Sequence, residues 1–140
     1  MKIGRLNHVA IAVPSIEKCW ETYKTFYGVE DKDITPIKEM ASQGIRYSFV
    51  NLENSQLELI EPLNEASPIA KFLEKNPNGG QHHICFEVDN IYDARDDMVA
   101  KGAQVLGEPR IGAHGTLIIF VHPKNSNGVL VELMESPKDH

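Results

Sequence analysis

A chain of 140 residues with 41% hydrophobic residues is long enough for one ordinary domain and short for two independent ones. A net charge of -6 with no basic run excludes a nucleic-acid surface, and no segment approaches the roughly 20 apolar residues of a membrane span. Cys19 and Cys85 lie inside apolar-periodic segments and no leader-like stretch opens the chain, so a cytoplasmic protein with reduced thiols is expected.

LNHVAIAV (6–13) reads as a strand stopped by Pro14. Ser15 is a helix N-cap, and Ile16, Cys19, Trp20, Tyr23, Phe26 and Tyr27 recur at helical spacing as far as Gly28. A weak strand is expected near Asp33 to Ile37, then a hairpin of IRYSFVNL (45–52) and SQLELIEP (55–62) turning at Glu53 and Asn54. SPIAKFLEK (67–75) carries an N-cap Ser67 and Pro68 at the first helical position. HHICFEV (82–88) is again a strand, with Asn90 capping a helix that runs to Gly102. AQVLGEP (103–109), TLIIFVHP (116–123) and GVLVELME (128–135) supply three more strands, joined by RIGAHG and KNSNG. Each half therefore reads βαβββ, module 1 about 1–76 and module 2 about 80–140 of a single domain, an α+β fold.

An internal repeat emerges on overlay. HVAIAVPSIEKCW falls on HICFEVDNIYDAR at an offset of 75 residues, placing His8 on His83, Ser15 on Asn90 and Ile16 on Ile91. LEL (57–59) falls on VEL (131–133) at an offset of 74, placing Glu58 on Glu132. Strand alternation puts His8 on a face with Ala10 and Ala12, and His83 on one with Cys85 and Glu87. His82 points the other way and aligns with Asn7, which makes it a supporting residue. A lone carboxylate among apolar neighbours is costly to bury unless paired or coordinated. His8, Glu58, His83 and Glu132 together fit one divalent metal ion, since imidazole and carboxylate suit Zn, Co, Ni, Fe or Mn. The other reading is four separate strand residues, the glutamates facing water and the histidines hydrogen-bonded locally.

LNHVAIAVPSIEK, LELIEPLNEASPIAKFLEKN, GGQHHICFEVDNI, GEPRIGAHG and HPKNSNGVLVELME resemble the vicinal-oxygen-chelate superfamily and, within it, the methylmalonyl-CoA epimerase family, over nearly the whole chain. The resemblance implies paired βαβββ modules forming a cup around one divalent metal (Co, Mn, Zn or Ni), in a homodimer. It implies His8, His83 and Glu132 as ligands with Glu58 as the fourth. The reaction implied is epimerisation of (2R)- and (2S)-methylmalonyl-CoA, an acyl-CoA substrate of propionate metabolism, by C2 proton abstraction through a metal-stabilised enolate. Glu132 is the first candidate base. Where some relatives have a second acid/base glutamate three residues after a Gln-Gly pair, this chain has Tyr47; its two readings are a proton donor and a packed aromatic. Thr116 and Leu117 follow GAHG where relatives often carry a basic residue, leaving Arg110, His114 and Lys124 as candidate substrate contacts. A glyoxalase I-type lactoylglutathione lyase, an extradiol dioxygenase and a non-catalytic small-molecule-binding protein are the alternatives for such a site.

Overall fold

The first apolar run forms strand β1 (Leu6–Ala12) in the computed structural model, which describes residues 1–137. Its alternation is sharp: His8, Ala10 and Ala12 are buried, whereas Asn7, Val9 and Ile11 are half-buried. Helix α1 (Ile16–Tyr27) starts where the Ser15 hydroxyl accepts from the Lys18 amide at 3.2 Å, and it stops at Gly28 in the left-handed region at φ 70°. Strand β2 (Lys38–Met40) precedes the hairpin of β3 (Ile45–Asn51) and β4 (Gln56–Pro62). Helix α2 (Pro68–Lys75), capped by Ser67, leads to β5 (Gly80–Val88). Helix α3 (Ile91–Ala100), capped by Asn90, leads to β6 (Val105–Ile111), β7 (Leu117–Val121) and β8 (Val131–Glu135).

Two expectations shift. The weak strand near Asp33 to Ile37 is instead a 3-10 turn over Asp31–Asp33 and a single bridge from Ile34 to Val50, and the paired strand lies later, at Lys38–Met40. Three acidic residues at Glu30, Asp31 and Asp33 favour a capped turn over a ladder, because short acidic side chains bond the nearby backbone. Strand β6 also extends through Arg110, which the sequence puts in the turn. The ladder between β6 and β7 shifts register between Leu106 and Arg110, and Gly107 within that interval has a φ of 82°.

The chain divides into two compact units, one comprising Met1–His8 with the residues from His83 onward, the other Val9–His82. In the first, strands run β5-β8-β7-β6, with β5 and β8 parallel and the rest antiparallel. Its core lies on one face: Val88, Ile119, Val121, Val131 and Leu133 pack with Ile91 and Ala94 of α3. The opposite face presents His83 and Cys85 of β5, Ile118 and Phe120 of β7, and Glu132 and Met134 of β8. In the second unit the antiparallel order is β2-β3-β4, and Val13, Val50 and Leu59 pack against Ile16, Cys19, Trp20 and Tyr23 of α1. Gly79 there has a φ of 94°, and a Cβ on it would lie 2.6 Å from the Ala12 carbonyl oxygen, so only glycine fits on both counts.

The repeat has a counterpart the sequence overlay does not reach. Glu61, at the end of β4, accepts at Oε2 from the Ile16 amide at 2.8 Å, and its Oε1 pairs with the Arg46 guanidinium. Glu135, 74 residues later at the end of β8, accepts from the Ile91 amide at 3.0 Å. In both halves the last strand thus satisfies an otherwise orphaned donor at the start of the half's first helix.

Candidate metal centre

The first unit brings three of the expected ligands together. His8 from β1, His83 from β5 and Glu132 from β8 are each at most 5% exposed, and their ligand atoms lie within 4.8 Å of one another. Glu132 Oε1 is 3.1 Å from Nε2 of His8 and 3.1 Å from Nε2 of His83. The imidazoles meet edge to face, with centroids 5.7 Å apart at 74°. The parallel register sets Cys85 beside Glu132, so the carboxylate enters the site face two residues along β5 from His83.

Aromatic and cationic side chains surround this core. His114, in the loop between β6 and β7, stacks on His8 with centroids 5.4 Å apart at 21°. Bonds from Gly112 N–H to the Thr116 carbonyl (2.9 Å) and from Gly115 N–H to the Gly112 carbonyl (3.0 Å) close that loop. Gly112 sits so near β7 that an added Cβ would meet the Ile118 side chain at 2.7 Å. Phe120 meets His83 edge to face at 5.3 Å, and the Arg110 guanidinium lies over the Phe120 ring, 5.3 Å from its centroid. Arg110 is thus one ring away from His83. Lys124 is not brought to this group; it is exposed in a 3-10 turn after β7, its amide bonded to His122 Nδ1 at 3.0 Å.

Within the second unit, Glu58 is 5% exposed on β4, directly opposite Phe49 of β3. Tyr47 lies two residues from Phe49 on the same face and meets it edge to face at 5.8 Å. Burial first, and the Glu58 charge second, push the Tyr47 phenol above its ordinary value of 10.0. His82 meets Phe72 of α2 edge to face at 5.2 Å, consistent with a supporting residue.

Two features go beyond the sequence-based candidates. Asn7 and Glu87 stand behind His8 in a hydrogen-bonded series: Asn7 Oδ1 accepts from His8 Nδ1 at 2.7 Å, and Asn7 Nδ2 donates to Glu87 Oε2 at 2.9 Å. The signal available was Glu87, an acidic residue alternating onto the histidine face of β5. Thr116 Oγ1 is buried with no hydrogen-bond partner among the described residues, at the end of the His114 loop.

The donor set fits a divalent ion. Two imidazole nitrogens and a carboxylate oxygen, all buried, converge from three strands, a combination matched to zinc and its first-row neighbours. Glu132 is buried between the two imidazoles, and a cation ligated by all three would offset the cost of desolvating its charge.

Residues 7–120 match the model of the Glyoxalase/Bleomycin resistance protein/Dioxygenase superfamily. The chain is 52% identical over 133 residues to an ethylmalonyl-CoA/methylmalonyl-CoA epimerase of Cereibacter sphaeroides, covering 94% of this chain and 97% of that one. It is 50% identical to the mitochondrial methylmalonyl-CoA epimerase of Homo sapiens over 96% of this chain and 75% of that one. Among solved structures, a variant of the Streptomyces coelicolor methylmalonyl-CoA epimerase in complex with 2-nitronate-propionyl-CoA superposes with a TM-score of 0.88 at 34% identity, covering 98% of this chain and 97% of the other. No helix among the described residues is long and apolar enough to cross a membrane. With the superfamily match spanning most of the chain and the likeness to epimerases running end to end, the chain belongs to the glyoxalase/bleomycin resistance/dioxygenase superfamily, has its α+β vicinal-oxygen-chelate fold, and falls within the methylmalonyl-CoA epimerase family.

Proposed function

We propose that the protein interconverts (2R)- and (2S)-methylmalonyl-CoA with one divalent metal ion held by His8, His83 and Glu132, Glu58 completing the set. The observation that carries this reading is the buried convergence of two imidazoles and a carboxylate in a chain about half identical to named epimerases. The inclusion of Glu58 rests on its place in the repeat opposite Glu132 and on its burial in β4.

The C2 proton of a malonyl thioester is weakly acidic, and its removal leaves negative charge that must be held for the barrier to fall. His8, His83, Glu132 and Glu58 would hold a divalent ion, and the chemistry it would supply there is Lewis acidity toward the carbonyl next to C2. His8 and His83 bring neutral nitrogens, so the charges of Glu58 and Glu132 only balance a divalent ion and leave no net negative charge to repel an anionic substrate. Glu132 is the base that takes the C2 proton. Tyr47 returns a proton on the opposite face: with its phenol pushed above 10.0 it starts protonated as the donor, in the reverse direction its phenolate takes the C2 proton while protonated Glu132 donates, and exchange with solvent resets the pair. Arg110, behind Phe120, and His114, stacked on His8, supply local positive or hydrogen-bonding contacts in a chain whose net charge of -6 offers none globally. Lys124, exposed in the turn after β7, is the remaining cation offered to the CoA phosphates.

A homodimer and a role in propionate metabolism are supported by the family resemblance, a single domain over 1–140 by the length and composition of the chain, and a cytoplasmic location by two cysteines set in apolar segments. Sedimentation velocity tests the homodimer directly. The function is tested by C2 hydrogen exchange in deuterium oxide with the added metal varied. Exchange into methylmalonyl-CoA that depends on Co or Mn is expected. Ethylmalonyl-CoA, named in the Cereibacter sphaeroides relative, is the second substrate to offer. Turnover of the methylglyoxal–glutathione adduct without any C2 exchange would overturn the reading in favour of a lactoylglutathione lyase.

A further inference from the structure

The side chains behind His8 form a directional series. We infer that Glu87, acting through Asn7, fixes the tautomer of His8 so that its Nε2 lone pair faces the metal centre, making both residues positioning residues for the ligand. The inference rests on the metal-site reading above for its purpose, but its geometry stands on its own.

Glu87 is the group in the series with the fewest hydrogen-bonding options. Glu87 is 6% exposed, and a carboxylate oxygen accepts hydrogen bonds. The atom of Asn7 that lies 2.9 Å from Glu87 Oε2 must therefore be the donating Nδ2. That assignment turns the Asn7 carbonyl oxygen toward His8 Nδ1, 2.7 Å away. A carbonyl oxygen only accepts, so His8 carries its proton on Nδ1. A neutral imidazole with Nδ1–H has its lone pair on Nε2, the atom 3.1 Å from Glu132 Oε1. Lone pair would then face carboxylate lone pair, an arrangement relieved by a cation that both ligate. A buried amide links a buried carboxylate to a metal ligand, which fixes the ring as well as the tautomer.

The series is specific to one histidine. In the repeat His83 takes the place of His8, yet Asn7 is matched by His82, whose ring packs on Phe72, and Glu87 is matched by Ala12.

The test uses two single variants and their combination. Glu87→Gln removes the group that dictates the amide orientation, so Asn7 is free to turn and His8 populates both tautomers. Asn7→Asp sets two carboxylates against each other. In the double variant the introduced carboxylate accepts both from His8 Nδ1 and from the introduced amide, which restores the direction of the series. The tautomer of His8 is read from its ring nitrogen shifts by NMR in the metal-free protein, and zinc affinity by chelator competition. Expected are an Nδ1-protonated His8 in the wild type and in Asn7→Asp, a loss of about 10- to 100-fold in zinc affinity in Glu87→Gln, and recovery of most of it in the double variant. An Nε2-protonated His8 in the metal-free wild type overturns the inference, as does a double variant no better than the worse single variant. Failure of the metal-site reading looks different: the wild type takes up no zinc although His8 keeps its proton on Nδ1.

Discussion

Glu132→Gln is the sharpest perturbation of the centre, because it removes one charge while keeping shape, length and an accepting oxygen. Glu132 Oε1 lies 3.1 Å from both histidine Nε2 atoms. Two unit charges about 4 Å apart interact by about 4 kcal/mol at an effective dielectric of about 20, and a divalent ion held at this carboxylate gains on the order of that from its charge. The retained amide oxygen recovers part of this, and removing one partner of a buried charge pair costs about 3–5 kcal/mol. Divalent affinity is therefore expected to fall by on the order of 10²- to 10³-fold, equivalent to roughly 3–4 kcal/mol. Chelator competition with zinc or cobalt measures this, with circular dichroism of the metal-free variant establishing that the strands persist. C2 exchange measured with saturating metal should still fall by about 10²-fold or more, because the amide cannot accept the proton as a base. Affinity within about threefold of wild type, roughly 0.6 kcal/mol, would refute the assignment of Glu132 as a ligand.

Tyr47→Phe should separate the two proton transfers: net epimerisation falls by about 10²-fold, while deuterium wash-in at C2 from one epimer is less affected, as a quenched time course of both quantities would show; equal losses in the two would place Tyr47 elsewhere in the reaction. Glu61→Ala removes a charged acceptor from the Ile16 amide and unpairs Arg46, at a cost of about 2–3 kcal/mol, or roughly 5–10 °C in Tm. Glu135→Ala, at a half-buried site, should cost about 1 kcal/mol, so thermal melts that rank the two the other way contradict the capping account. Stability should also fall in alkali. Burial pushes the Cys19 thiol above its ordinary 9.0, and burial with the Cys19 and Tyr27 charges pushes Tyr23 above 10.0. Below about pH 8 both groups are protonated in folded and unfolded chains alike and contribute no slope. Above it the unfolded chain releases protons first, so stability declines as pH rises. Urea melts across pH 8 to 11 should show a shallower decline in Cys19→Ala.

Much of the fold is legible because alternation and caps are local. Ser15, Ser67 and Asn90 each cap the helix expected, and β1, β3, β4 and β5 fall within two residues of their apolar runs. The repeat makes His8, His83 and Glu132 readable as a group, since one duplication must place equivalent residues equivalently. What escapes is non-local. The position of β2 depends on pairing with Ile45, Arg46 and Tyr47, and its three residues carry no alternation of their own. The bond between Asn7 and Glu87 joins residues 80 positions apart, and neither is unusual in its own segment. Arg110 sits in a stretch rich in turn residues, yet ladder pairing with Ile118 draws it into β6. The helix-start glutamates are hidden for a similar reason: Glu61 and Glu135 look like solvated strand ends until the helix amide they meet is known.

Those glutamates sit three residues beyond Glu58 and Glu132, an odd spacing that sends the two carboxylates of each strand to opposite faces. A slip of β4 or β8 by one residue would exchange the faces of both at once. The helix start would lose its acceptor in the same step that the inner carboxylate turned away. Each terminal strand therefore acts as a proofreading ruler: a chain that has secured its first helix in a half has also aimed that half's inner glutamate correctly. Folded molecules with a misaimed carboxylate are filtered out by stability itself, before any ligand arrives to select among them.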